Sequence, residues 1–160
     1  MARCLSRDRC RSASRSSGPS GAAPKRLRFL IDTNVAIHLR DGDIRVGERL
    51  IELGPDHHLS IVSRVELENG AYAEPDETML RRGALDRMLE QIETLDFGTP
   101  EIATYREIVA AIGYSRRKTT DRMIAATALV HGLTLITFNG RDFRDVPGLQ
   151  IEAWEGVGKE

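Results

Sequence analysis

Residues 28–154 predict a three-layer α/β fold built on a central, mostly parallel sheet. Short apolar runs bounded by turn residues alternate with stretches of helical apolar spacing, and that alternation is the mark of strand–helix–strand units. No internal repeat and no linker interrupts these residues, and a chain of 160 residues is long enough for one domain with its own core. The longest apolar runs fall far short of the roughly 20 residues needed to cross a bilayer.

The elements follow in order. Residues 28–31 read as a short buried strand, and Thr33 or Asn34 can cap a helix running to about Arg40. Residues 44–53 continue helically, with Ile44, Leu50, Ile51 and Leu53 as the expected buried face, until Gly54 and Pro55 stop the helix. Residues 58–63 (HLSIVS) read as the second strand, after which Ser63 starts a helix that turns Val65, Leu67 and Tyr72 inward. A helix over 76–92, carrying Met79, Leu80, Leu85, Met88, Leu89 and Ile92, precedes a third strand at 93–97. Pro100 opens a helix to about Ile112 that Gly113 ends. Thr119 or Thr120 then caps a helix over 121–131, stopped by Gly132. Residues 133–138 are a β-rich fourth strand, and 149–154 form the fifth after the Pro147-Gly148 turn.

Charge divides the chain more sharply than its total of −1 suggests. Residues 1–28 carry Arg3, Arg7, Arg9, Arg11, Arg15, Lys25, Arg26 and Arg28 against Asp8 alone, a net +7 that leaves −8 for residues 29–160. This start is rich in Arg, Ser, Gly and Ala and poor in large apolar side chains. Residues 1–27 are therefore expected to be a disordered basic extension, with 155–160 a short tail. Transit peptides and nucleic-acid-binding arms share such a composition. Cys4 and Cys10 both lie in it, so the body has neither a disulfide framework nor a thiolate metal site, as suits a reducing cytoplasm.

The chemistry-bearing residues fall at one edge of the predicted sheet. In open α/β sheets functional groups gather beyond the carboxyl ends of strands, where the strand order reverses. Asp32 interrupts the apolar run FLIDTNVAI at such an end. Ser63 and Glu66 follow the second strand, and Asn139 and Asp142 follow the fourth in TFNGRDF. Asp121 begins the helix before strand four, so only tertiary folding can bring it to the same edge. Each also has a local explanation: a helix cap for Asp32, an S-x-x-E capping box for Ser63 and Glu66, a favourable helix dipole for Asp121, a turn for Asn139. Their shared placement points beyond those explanations. An all-oxygen set without His or Cys suits a hard cation, Mg²⁺ or Mn²⁺, and with it metal-assisted phosphate chemistry.

Three segments, FLIDTNVAI (29–37), SIVSRVELENGAY (60–72) and TDRMIAATALVHGLTLITFNGRDFRDVPGLQIEAW (120–154), resemble the PIN-domain ribonucleases, and within them the VapC-like toxins of toxin-antitoxin pairs. With their spacers they cover essentially residues 28–154. The resemblance implies a PIN-like three-layer α/β/α fold whose five-stranded parallel sheet has the order 3-2-1-4-5. It also implies an acidic pocket that binds Mg²⁺ or Mn²⁺ and cleaves cellular RNA. Asp32, Glu66 and Asp121 match the family's first three acids, with Asp32 and Asp121 as metal ligands. Asn139 stands at the fourth acidic position, and Asp142 three residues on is a further candidate. Thr33, Asn34, Thr137 and Asn139 would support the carboxylates, and Arg116, Arg117 and Lys118 would meet RNA phosphates.

A metal-activated water attacking in line is the mechanism this implies, on tRNA, rRNA or mRNA. The partners implied are an RNA substrate, a VapB-like antitoxin and a second copy of the chain, without a membrane. His38, His57 and His58 lie outside these segments and His131 ends a helix within the third, away from its acids, so no imidazole base is indicated. Two other readings stand beside this one. A haloacid-dehalogenase-like phosphatase would use Asp32 as nucleophile but needs an acid two positions on, where Asn34 stands. A PIN-like interaction module would have lost its acids, and only the Asn139 position points that way.

Overall fold

A computed structural model describes residues 27–154; the expected basic extension and C-terminal tail lie outside the described residues apart from Leu27. Its five strands form one parallel sheet in the order β3-β2-β1-β4-β5. They are β1 (Phe29–Ile31), β2 (His57–Ser60), β3 (Glu93–Leu95), β4 (Thr134–Thr137) and β5 (Gln150–Ala153). Six α-helices connect them: α1 (Thr33–Arg40), α2 (Ile44–Leu53), α3 (Ile61–Ala71), α4 (Thr78–Leu89), α5 (Thr99–Ile112) and α6 (Thr119–His131). Every pairing is parallel, with Ile31 opposite Leu59 on one side and Ile136 on the other.

Strand periodicity decides which residues meet which layer of helices. Successive side chains of a strand point to opposite faces. Phe29 and Ile31 of β1 thus join Leu59, Ile136 and Trp154 in a core with Val35, Val46, Leu50, Leu67, Leu85 and Met88 of α1 to α4. Leu30 and Leu135 face the other way and pack on Ile108 of α5 and the small residues Ala125, Ala126 and Ala128 of α6. Both sheet faces are covered, as a parallel sheet requires.

Several boundaries differ from the sequence expectation, each for a local reason. Asp32, not Thr33 or Asn34, caps α1: its carboxylate accepts the backbone N–H of Thr33 at 2.8 Å. Strand β2 ends at Ser60 and not at Ser63, because the Ser60 hydroxyl accepts the Ser63 amide at 2.9 Å and starts α3 at Ile61. Ser63 is therefore inside the helix, and Glu66 is not its capping-box partner. A short 3₁₀ turn, Pro75–Glu77, precedes α4, and another, Arg116–Lys118, runs straight into α6 without a side-chain cap from Thr119 or Thr120. Ile44 and Ile51 of α2 are 74% and 79% exposed, while Val46 and Leu50 supply its buried face. Val65, Tyr72, Met79 and Leu80 are likewise on the surface.

Candidate active site

Strand β1 is central, with β2 on one side and β4 on the other, so the crevice beyond its carboxyl end lies where chain order reverses. Asp32 stands there as the first residue past β1, held in the sheet by its amide, which donates to the Ile136 carbonyl at 2.9 Å. Its side chain is buried, and three observations show how the fold keeps it in place. One carboxylate oxygen takes the Thr33 amide, and the other takes the Thr137 hydroxyl at 2.7 Å. Thr137, fully buried at the end of β4, in turn accepts the Asn139 amide at 3.0 Å, which fixes the direction of its proton toward Asp32. Asp32 thus both caps a helix and presents a shielded carboxylate.

Thr33 connects a second acid to the first. Its amide serves Asp32, and its hydroxyl donates to Glu66 Oε2 at 2.5 Å, so one residue of α1 ties the acid of β1 to that of α3. Asp121 comes from the first turn of α6 and is half-buried. Asp142 sits on the 3₁₀ turn Gly140–Asp142 after β4 and accepts a hydrogen bond from the Asn139 side-chain amide. Gly140 lets that turn lie against β5, since a Cβ there would stand 2.9 Å from the Cβ of Ala153. Asn34 is exposed, and no hydrogen bond among the described residues joins it to a carboxylate.

The electrostatics follow from this crowding. Burial pushes the Asp32 carboxyl up to about 6, opposed by its two hydrogen bonds and reinforced by the charges of Asp121 and Glu66. Asp121 is also raised, first by burial, then by Asp142 and Glu66, with Lys118 and Arg122 pulling the other way. The site is thus an excess of negative charge. Arg122 is buried, with Nη1 donating to the Gly113 carbonyl at 2.6 Å. The imidazoles are elsewhere. His38 lies 3.2 Å from Asp43, and His131 lies 3.2 Å from Glu101. His57 and His58 open β2 at the opposite edge of the sheet.

An excess of oxygen ligands with unbalanced negative charge is what a hard divalent cation requires. Among the described residues no group of three or more His, Cys, Asp and Glu is placed to hold a metal ion. The residues present fit a cation that takes one or two protein carboxylates and keeps most of its water, which is the habit of Mg²⁺, and they do not fit a dehydrated cage.

Of the residues predicted from sequence, Asp32, Thr33, Glu66 and Thr137 form one hydrogen-bonded set, and Asp121 and Asp142 meet it through their fields. Arg116 and Arg117 are exposed on the turn before α6 and form no ion pair among the described residues. Lys118 points instead toward the Gly140–Asp142 turn. Its amine donates to the Asp142 carbonyl at 3.3 Å and lies 3.5 Å from Asp145. No sequence signal links residues so far apart, and that contact was not expected.

The chain is similar to known proteins over most of its length. The model of the PIN domain matches residues 29–149. Ribonuclease VapC1 of Rickettsia felis is 42% identical over 132 residues, covering 78% of this chain and 95% of that protein. The tRNA(fMet)-specific endonuclease VapC of Salmonella typhimurium is 29% identical over 136 residues, covering 80% and 98%. A DNA-bound VapBC crystal structure from Salmonella typhimurium superposes with a TM-score of 0.71 at 28% identity, over 81% of this chain and 99% of that one. With its five-stranded parallel sheet, its carboxylates at the switch point and these relatives, the chain belongs to the PIN-domain family, among its VapC-type ribonucleases.

Proposed function

We propose that this chain is the toxin of a VapBC-type pair, an endoribonuclease that hydrolyses phosphodiester bonds of RNA with the help of a divalent cation. The observation that carries this reading is Asp32: a buried carboxylate with both oxygens oriented by donors, surrounded by other carboxylates. A buried negative charge without a cationic partner is costly, so a fold that builds one has a use for a cation there. Asp32 and Asp121 are the two residues assigned to hold it, with Glu66 and Asp142 on the rim. When bound, Mg²⁺ or Mn²⁺ supplies positive charge for the transition state of phosphodiester hydrolysis and orients an attacking water.

The protein's own contribution is positioning. Thr33 and Thr137 lock the carboxylate of Asp32, and the Thr33 hydroxyl holds Glu66 at a fixed distance from it. Asn139, at the fourth acidic position, adds a carbonyl without charge, which limits the site's demand for a second cation. Arg116 and Arg117 stand before Asp121, where they can hold phosphates that would otherwise be repelled by the acidic pocket. The antitoxin of the VapBC relatives supports a VapB-like partner. Exposed Ile51, Met79, Leu80 and Tyr72 support burial against that partner and a second copy of the chain.

The test is induced expression in a bacterial host, comparing wild type with Asp32→Asn and sequencing new RNA 5′ ends, tRNA among them. Growth arrest with discrete cuts, both lost in Asp32→Asn and both relieved by a cognate antitoxin, is the expected result. The Asn variant keeps an acceptor for the Thr33 amide, so its effect reports the lost charge and not a lost cap. Arrest that survives Asp32→Asn would overturn the reading.

A further inference from the structure

We propose that Lys118 is a positioning residue, a brace that holds the turn bearing Asp142 against the turn leading to Asp121, and not a contact to RNA. The inference rests on the ribonuclease reading above. Asp121 and Asp142 belong to elements with no shared strand or helix. Asp121 lies three residues after Lys118, the last residue of the 3₁₀ turn Arg116–Lys118, and Asp142 ends the 3₁₀ turn Gly140–Asp142. Lys118 links these two turns by a hydrogen bond. Its amine donates to the Asp142 carbonyl at 3.3 Å and forms an ion pair with the Asp145 carboxylate at 3.5 Å, so one donor and its charge are both engaged across the gap.

The rest of the geometry fits a brace. The Asp142 turn is held internally by the Asp142 amide on the Asn139 carbonyl at 3.0 Å, the Phe143 amide on Gly140 at 3.3 Å and the Asn139 side-chain amide on the Asp142 carboxylate, none of which ties it to α6. Phe143 and Gly140 anchor it from below, Phe143 in the core and Gly140 against Ala153. Lys118 anchors it from the side of α6. The lysine backbone is itself fixed, since its amide donates to Ser115 at 3.3 Å and the Thr119 hydroxyl reaches the same carbonyl. Arg116 and Arg117, by contrast, are exposed and free to meet phosphates. One basic tripeptide thus divides its labour: two arginines face outward, and the lysine is turned inward to set the spacing of two carboxylates. An ångström of misplacement at a reacting site is enough to cost about 100-fold in rate.

The test compares Lys118→Ala, Lys118→Arg and Arg116→Ala in the full chain, with two readouts. In the metal-free protein, amide hydrogen exchange over residues 139–146 is expected to quicken about fivefold or more in Lys118→Ala. Lys118→Arg should restore it and Arg116→Ala should leave it unchanged. In steady-state cleavage of a single-stranded RNA oligonucleotide with Mg²⁺, Lys118→Ala is expected to lower kcat about tenfold or more with KM within twofold. Lys118→Arg should recover most of that loss. Arg116→Ala should raise KM, flatten the salt dependence and spare kcat. Unchanged exchange in Lys118→Ala overturns the brace, and so does a KM-only effect resembling that of Arg116→Ala. If the wild type cuts no RNA, the ribonuclease reading fails by itself, and the exchange measurement still decides whether Lys118 holds the turn.

Discussion

At the scale of residues, Asp32 shows why a local explanation and a functional one need not compete. A helix cap and a metal site are alternative readings of Asp32 in the sequence; in the structure the side chain takes the Thr33 amide as a cap and remains buried among other acids, so the proposed metal site uses a carboxylate that already caps α1. Thr33 is legible because a hydroxyl next to a strand-end carboxylate is its natural donor, whereas Thr137, 105 positions from Asp32, follows from the family resemblance. Asn34 looked equivalent in DTN, but the first turn of α1 rotates it to the surface, and no pattern three letters long encodes that rotation. The raised carboxyl of Asp32 makes a prediction about pH. In metal-free protein the folded state holds a proton that the unfolded chain releases between its ordinary 3.8 and about 6. Stability from this group is therefore fully present below the lower value and lost as pH rises through the upper one, by at most about 3 kcal/mol. Asp32→Asn replaces one accepting oxygen by an N–H facing a donor, which costs stability at every pH, and is expected to remove this group's part of the slope. Urea melts from pH 4 to 8 in chelator check this; an unchanged slope in the variant would contradict it.

At the scale of elements, their existence and order were legible and their edges were not. Ile61 and Val62 look like strand residues because they are β-branched, yet Ser60 ends β2 before them by capping α3. The exposure of Ile44 and Ile51 has a different origin. An apolar residue marks a surface that some partner can bury, and a single chain does not say whether that partner is its own core. Helix α5 carries a cap that the proline signal hid. Glu101 is buried at its first turn, where Oε2 accepts the Gly98 amide at 2.8 Å and Oε1 faces His131. Burial works against its charge, but that amide and His131 together hold its carboxyl below the usual range. Its contribution is thus present above the unfolded value and lost as pH falls through the folded one. Glu101→Gln is expected to cost about 1 kcal/mol at pH 7, and the difference should vanish near pH 3. A constant difference across that range would show that the charge plays no part.

At the scale of the whole molecule, the alternation of strands and helices was enough to predict the parallel sheet, while the convergence of Asp32, Glu66, Asp121 and Asp142 depended on strand order. That order came from family resemblance, because periodicity says which face a residue takes and not which strand is its neighbour. The Lys118 brace shows the same limit: it spans 24 positions and leaves no trace in composition. The far edge of the sheet matters to the site as well. Trp154 is fully buried, its amide donates to the Thr137 carbonyl at 2.9 Å, and its ring is covered by Arg49 at 4.7 Å. Trp154→Ala is expected to cost about 3–5 kcal/mol and Trp154→Phe much less, read from denaturant melts followed by circular dichroism. Equal losses would mean that the ring's size is not what supports β4. The proposed activity has the carboxylates at the switch point cutting RNA while they hold a divalent cation. Calorimetric titration of Mn²⁺ into purified wild type, Asp32→Asn and Asp121→Asn tests it, with RNA cleavage followed in the same samples. Binding and cleavage present together in wild type, and lost together in both variants, is the predicted result. Cleavage that persists in chelator, or in either variant at the wild-type rate, would contradict it.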